Sequence, residues 1–275
     1  MTPSPTGRGA GAPGRKRTRT YAPAKIRNAV LAQFGNVRKA AGTLTSEQLA
    51  GPTRLGDWTV RELLAHLSMA LGAVDRALDQ PEPGKAEVAA LDWPFVTAAN
   101  AGGIADRSRA IAAENPDIPV LLARTEERFA VNLDDTADSR VLAVGAGAMT
   151  FADYLVTRTV ELVVHTDDLN DAVPGLDVPV DRQALAACTR LLADALAVKA
   201  PGASTEVRIP PFAVVQCVEG PRHTRGTPPN VVETDPLTWV RLATGRTRWT
   251  VAIDDALVSA SGERADLTAV LPIMA

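Results

Sequence analysis

Apolar residues recur at helical spacing through the first two-thirds of the chain. In residues 22–41, APAKIRNAVLAQFGNVRKAA, the positions Ile26, Val30, Phe34 and Val37 share one side of a 3.6-residue period, which predicts a helix. A polar connection with Gly51-Pro52 follows. GDWTVRELLAHLSMALGAVDRAL then carries the stripe Val60, Leu63, Leu67, Leu71 and Val74, and Thr59 and Glu62 stand at capping-box spacing at its start. A third helix is expected over about 92–113, after the breaker PEPGK. A fourth begins in NPDIPVLLARTEERFAV, with Asp117 as cap and Pro119 in the first turn. MTFADYLVTRTVELVVHTDDLNDA is the fifth and longest, stopped by Pro174-Gly175, and DRQALAACTRLLADALAV is a sixth, ended by Pro201-Gly202. VGAGAM, with Gly145 and Gly147, is too short for a dinucleotide loop and reads as a turn.

The texture changes beyond residue 203. STEVRIPPFAVVQCVEG is β-rich, and Pro210-Pro211 marks an edge or bulge within it. NVVETDPLTWVRLATGR reads as a short strand, then a helix capped by Asp235 with Pro236 at its first position. RWTVAIDDALVSASG looks strand-like, and ERADLTAVLPIM a last helical turn or two. Helices followed by a mixed tail predict an α+β chain of two domains, a helical bundle and a small α/β module.

The fifth helix is apolar over most of its circumference, which marks it as buried. Projected at about 100° per residue, Tyr154, Arg158, Glu161, His165 and Asp168 form one polar stripe, with Phe151, Leu155, Leu162 and Leu169 along its flank. Buried charge must find partners or a metal. Glu161 and His165 are four residues apart, so their side chains meet over one turn and are placed to share an ion. The chain has three histidines, and His66 lies at the edge of the second helix's apolar stripe. His66, Glu161 and His165 would give Zn²⁺ three protein ligands and an open fourth position. The spacing equally permits satisfied core histidines and a helical ion pair contributing a few tenths of a kcal/mol.

Composition sets bounds. The 275 residues are 46% hydrophobic, enough for one large or two ordinary domains. Residues 1–20 hold five basic and no acidic residues among Gly, Pro, Ser and Thr, so a disordered basic tail is expected over 1–21. Without those five, 24 basic residues face 32 acidic ones, which argues against nucleic-acid binding by the folded body. No apolar run follows the basic tail as in a secretory signal, and none approaches the roughly 20 residues of a membrane span. Cys188 and Cys217 form no CxxC, and a cytoplasmic location is expected.

LGDWTVRELLAHL and RTVELVVHTDDL together resemble the motifs of the mycothiol-dependent maleylpyruvate isomerase family, over roughly residues 22–175. The resemblance implies a DinB-like four-helix bundle whose catalytic zinc is held, position by position, by His66, Glu161 and His165. It also implies mycothiol as co-substrate: the metal takes the thiol as thiolate, which adds to a small electrophile, giving isomerisation or transfer. Arg158, one turn from Glu161, would orient it or bind a substrate carboxylate, or else pair with Asp168 or another acid. Tyr154 and Asp168 are candidates to hold the histidines in place, and Trp58 and Trp239 read as core anchors.

The C-terminal region, taken as residues 181–275, resembles the bacterial sterol-carrier-like module often appended to that family. The family uses an arginine from this module. GPRHTRGTPPN offers Arg222 and Arg225, beside His223, to the thiol cofactor or an acidic substrate, or is a solvated basic loop. A lipid- or small-molecule-binding carrier and a zinc hydrolase remain alternatives to the thiol enzyme.

Overall fold

The computed structural model describes residues 19–97, 101–221 and 228–274. Most of the expected tail lies outside them. Arg19, the first described residue, is paired with Asp194 at 2.8 Å.

Helix α1 (Pro23–Ala41) opens on Pro23, whose fixed φ suits a first turn, and buries Ile26, Val30, Phe34 and Val37. A short α2 (Ser46–Ala50), closed by a Thr45–Gln48 capping box, occupies part of the expected connection. α3 (Val60–Leu78) has the Thr59–Glu62 box, and its whole predicted stripe is fully buried. The expected third helix is instead two elements, α4 (Trp93–Val96) and α5 (Ala101–Glu114). Gly102 and Gly103, poor helix formers, fall at the start of the second. α6 (Ile118–Asp135) takes its cap from Asp117, which accepts from the Val120 N–H at 3.0 Å.

Sequence pattern missed the next element. Strands β1 (Val141–Val144) and β2 (Gly147–Thr150) form an antiparallel hairpin, and only its Gly145-Ala146 centre is the expected turn. Four-residue strands are too short for period-two alternation to register, but Leu142 and Met149 are fully buried. Gly147 lies at φ 121°, and a Cβ there would stand 2.9 Å from Val88, so both backbone and space call for glycine. α7 (Phe151–Ala172) and α8 (Arg182–Lys199) follow as predicted.

α1, α3, α6 and α7 make a four-helix bundle in which α1 and α3 each pack against both α6 and α7. α5 lies on the outside of α3. α8 is shared: one side meets α1 and α7, the other the C-terminal sheet and helix.

The sheet contains β3 (Thr205–Ile209), β4 (Ala213–Cys217), β5 (Val231–Thr234) and, after α9 (Pro236–Ala243) and α10 (Trp249–Asp254), β6 (Val258–Ser261). Its order is β4-β3-β5-β6, with β3 and β5 parallel and the other pairs antiparallel. Val207, aligned with Val215 and Val232, centres the buried face, and Trp239 and Leu242 of α9 are buried with it in one core. Pro210-Pro211 is neither edge nor bulge: it makes the turn between β3 and β4. RWTVAID is helical, not extended, because Trp249 and Ala252 bury one helical face. ERADLTAVLPIM forms isolated turns. Among the described residues, no helix is long and apolar enough to cross a membrane.

Candidate metal centre

α3 delivers His66 and α7 delivers Glu161 and His165 to one point inside the bundle. His66 Nε2 lies 3.1 Å from Glu161 Oε2, and His165 Nε2 lies 3.4 Å from the same oxygen. The two imidazoles meet edge to face, 4.7 Å between centroids. One ligand atom from each of the three residues fits within 4.8 Å of the others. Donors about 2.0–2.1 Å from a tetrahedral zinc stand about 3.3 Å apart, so the two measured separations match an edge of that figure.

His66 is incompletely hydrogen-bonded. Its Nδ1 is buried with no hydrogen-bond partner among the described residues, and its Nε2 meets only Glu161. Burial pushes its pKa down, against the pull of Glu161, favouring the neutral ring that a metal needs. Burial alone would raise the Glu161 carboxyl, but hydrogen bonds from His165 and His66 outweigh it and hold the group well below the carboxylate range. His165 is steadied from behind, where its Nδ1 meets Asp168 Oδ2 at 2.8 Å. Burial opposes protonation of that ring, yet Asp168 and Glu161 raise its pKa overall. A carboxylate behind a histidine is the usual outer support of a metal ligand.

Beside the centre is a cavity of about 340 Å³, lined by His66 and Glu161 together with Arg76, Arg107, Arg158, Tyr154 and Trp93. Arg158 is 6% exposed, 4.4 Å above the Tyr154 ring and 5.5 Å from that of Trp93, with Nη2 3.8 Å from Glu161 Oε1. It faces Glu161 and the cavity, not Asp168. Arg76 and Arg107 stand at the exposed rim; partial burial first, and then the charge of Arg107, lower the pKa of Arg76. Three guanidiniums thus line a cavity whose single lining carboxylate already meets two histidines. Such a chamber attracts an anion.

Tyr154 does not hold a histidine, since its hydroxyl donates to the Ala70 carbonyl at 3.1 Å. Trp58 packs half-buried against the core with its ring 5.3 Å from that of His66, and Trp239 is 1% exposed in the core. Arg222, His223 and Arg225 lie outside the described residues. Sequence reasoning missed Arg54, Arg241 and Arg246, which bind Asp167 and Asp168. The signal was present: two adjacent acids on an otherwise apolar helix require cations from elsewhere.

Residues 30–170 match the family described as "Mycothiol maleylpyruvate isomerase N-terminal domain", and residues 181–273 match "Bacterial SCP ortholog". Among solved structures, the crystal structure of the mycothiol-dependent maleylpyruvate isomerase is 15% identical with a TM-score of 0.59, covering 90% of this chain and 95% of that one. A histidine-to-alanine mutant of that enzyme is similar at 14% identity, with the same TM-score and coverage. At these identities the likeness is one of fold. No curated protein matches the chain.

Proposed function

Because the chain belongs to the mycothiol maleylpyruvate isomerase N-terminal domain family, we propose that it is a metal-dependent enzyme joining a low-molecular-weight thiol, mycothiol, to a small acidic electrophile. The observation that carries this reading is the convergence of His66, Glu161 and His165 within 4.8 Å, beside a cavity rich in arginine. Two imidazoles and a carboxylate suit Zn²⁺ with an open position. When bound there, the ion supplies the Lewis acidity that makes an incoming thiol nucleophilic at neutral pH.

The chain's own residues do the remaining work. Asp168 holds the His165 Nδ1 side, leaving Nε2 directed at Glu161. Arg158, desolvated between two aromatic rings, receives a substrate carboxylate close to the reacting centre, where a charge-assisted bond is strongest. Arg76 and Arg107 draw the anion in from the rim. Neither chain thiol substitutes for the external one: Cys188 and Cys217 are fully buried, and neither lines the cavity. Isomerisation and transfer share this beginning and differ in whether the sulfur later leaves.

Metal analysis of wild type beside His66→Ala, Glu161→Gln and His165→Ala tests the centre, and mycothiol titration of the zinc-loaded protein tests the chemistry. One zinc per chain in wild type, lost in each variant, is expected. Zinc retained by all three variants, or a zinc protein indifferent to mycothiol, would overturn the proposal.

A further inference from the structure

Two carboxylates one helical turn from the centre are gripped from outside the bundle. Asp167 and Asp168 are 4% and 0% exposed, and three guanidiniums reach them. Arg54, in the connection between α2 and α3, bonds Asp168 Oδ1 at 2.7 Å and Asp167 Oδ2 at 2.6 Å. Arg241 of α9 holds both oxygens of Asp167, its closest bond 2.6 Å. Arg246 forks onto Asp168, with Nε 3.2 Å from Oδ1 and Nη2 3.0 Å from Oδ2. That same Oδ2 accepts from His165 Nδ1 at 2.8 Å.

Arg241 and Arg246 stand together because of how α9 ends. Gly245 lies at φ 72°, its N–H reaches the Leu242 carbonyl at 3.4 Å, and the Arg246 N–H reaches the Arg241 carbonyl at 2.7 Å. This is a Schellman closure, which folds the sixth residue back over the first. Two arginines five positions apart thereby become one clamp on an adjacent acid pair.

We propose that Arg246 is a positioning residue for the bundle's centre: acting through Asp168, it fixes the ring of His165, so that docking of the C-terminal domain sets how well the centre is formed. A carboxylate's terminal torsion is broad and does not lock itself. Asp168 is locked by the Arg246 fork on one side and Arg54 on the other, and the locked carboxylate holds His165 Nδ1 and with it the direction in which Nε2 meets Glu161. Arg241 supplies the contrast. It grips as tightly, but Asp167 makes no contact with a histidine among the described residues. The inference rests on the metal reading for one readout only.

The test uses the full chain with ¹⁵N-labelled histidine rings, metal-free and at mildly alkaline pH, together with zinc affinity measured by chelator competition. Arg246→Met should shift and broaden the His165 ring ¹⁵N resonances and weaken zinc binding about 10–100-fold, the usual cost of removing outer support from a ligand. Arg246→Lys should recover part of both losses. Arg241→Met should leave the His165 spectrum as in wild type and zinc affinity within about threefold, even though it loosens the same junction. An Arg246→Met protein with an unaltered ring spectrum, or equal losses in Arg241→Met and Arg246→Met, overturns the inference. Should Arg246→Met fail to fold, Arg246→Gln must still move the spectrum, and an unchanged ring there overturns it too. A wild type that binds no zinc while its ring responds to Arg246→Met sinks the metal reading and sustains this one.

Discussion

Helix α7 carries two arginine–carboxylate regions with opposite balances. Towards its N-terminal half, Arg158, Arg76 and Arg107 face the cavity, and the one carboxylate there, Glu161, is already taken by His66 and His165. Towards its C-terminal half, Asp167 and Asp168 are saturated by Arg54, Arg241 and Arg246. The residue types are the same, but one set is satisfied within the protein and the other is not. A saturated buried network holds parts in register. A surplus of cations around a cavity, one of them buried, keeps its binding capacity for something that arrives.

That contrast predicts unequal consequences. The largest effect belongs to the centre itself: Glu161→Gln should weaken zinc more than about 100-fold, beyond the loss of any outer support, as metal content after dialysis would show. Next is Arg158→Met, expected to raise KM for an acidic electrophile about 10–100-fold, the worth of one charge-assisted bond, while zinc content stays at wild-type level. A KM unmoved by that change would place Arg158 with the saturated set. Asp167→Ala strands Arg241, which still reaches solvent, while Arg54 keeps Asp168, so it should lower stability by about 1–2 kcal/mol in denaturant melts, with KM changed little. Gly245→Ala forces a β-carbon into left-handed backbone and should cost about 1 kcal/mol by the same assay. Smallest is a matter of access. Burial raises the Cys188 thiol well above its ordinary pKa and Cys217 is equally buried, so native protein should resist a thiol reagent that labels both after unfolding.

Much of this was legible in the chain. The stripe of α3, the cap at Thr59, the Asp235-Pro236 start of α9 and the polar face of α7 are local patterns, set by a period of 3.6 residues and by hydrogen bonds that close within four. His165 beside Glu161 follows from the same geometry. The short hairpin at 141–150 and the helix at 249–254 escaped because four to six residues hold too few periods to separate helix from strand, and packing decided them. Only the tertiary structure could bring His66 to Glu161 across 95 positions, aim three arginines at one cavity, or close Arg246 on Asp168 across 78. Periodicity tells a side chain which face it occupies. Which partner it meets there depends on how the faces pack, a property of no single segment.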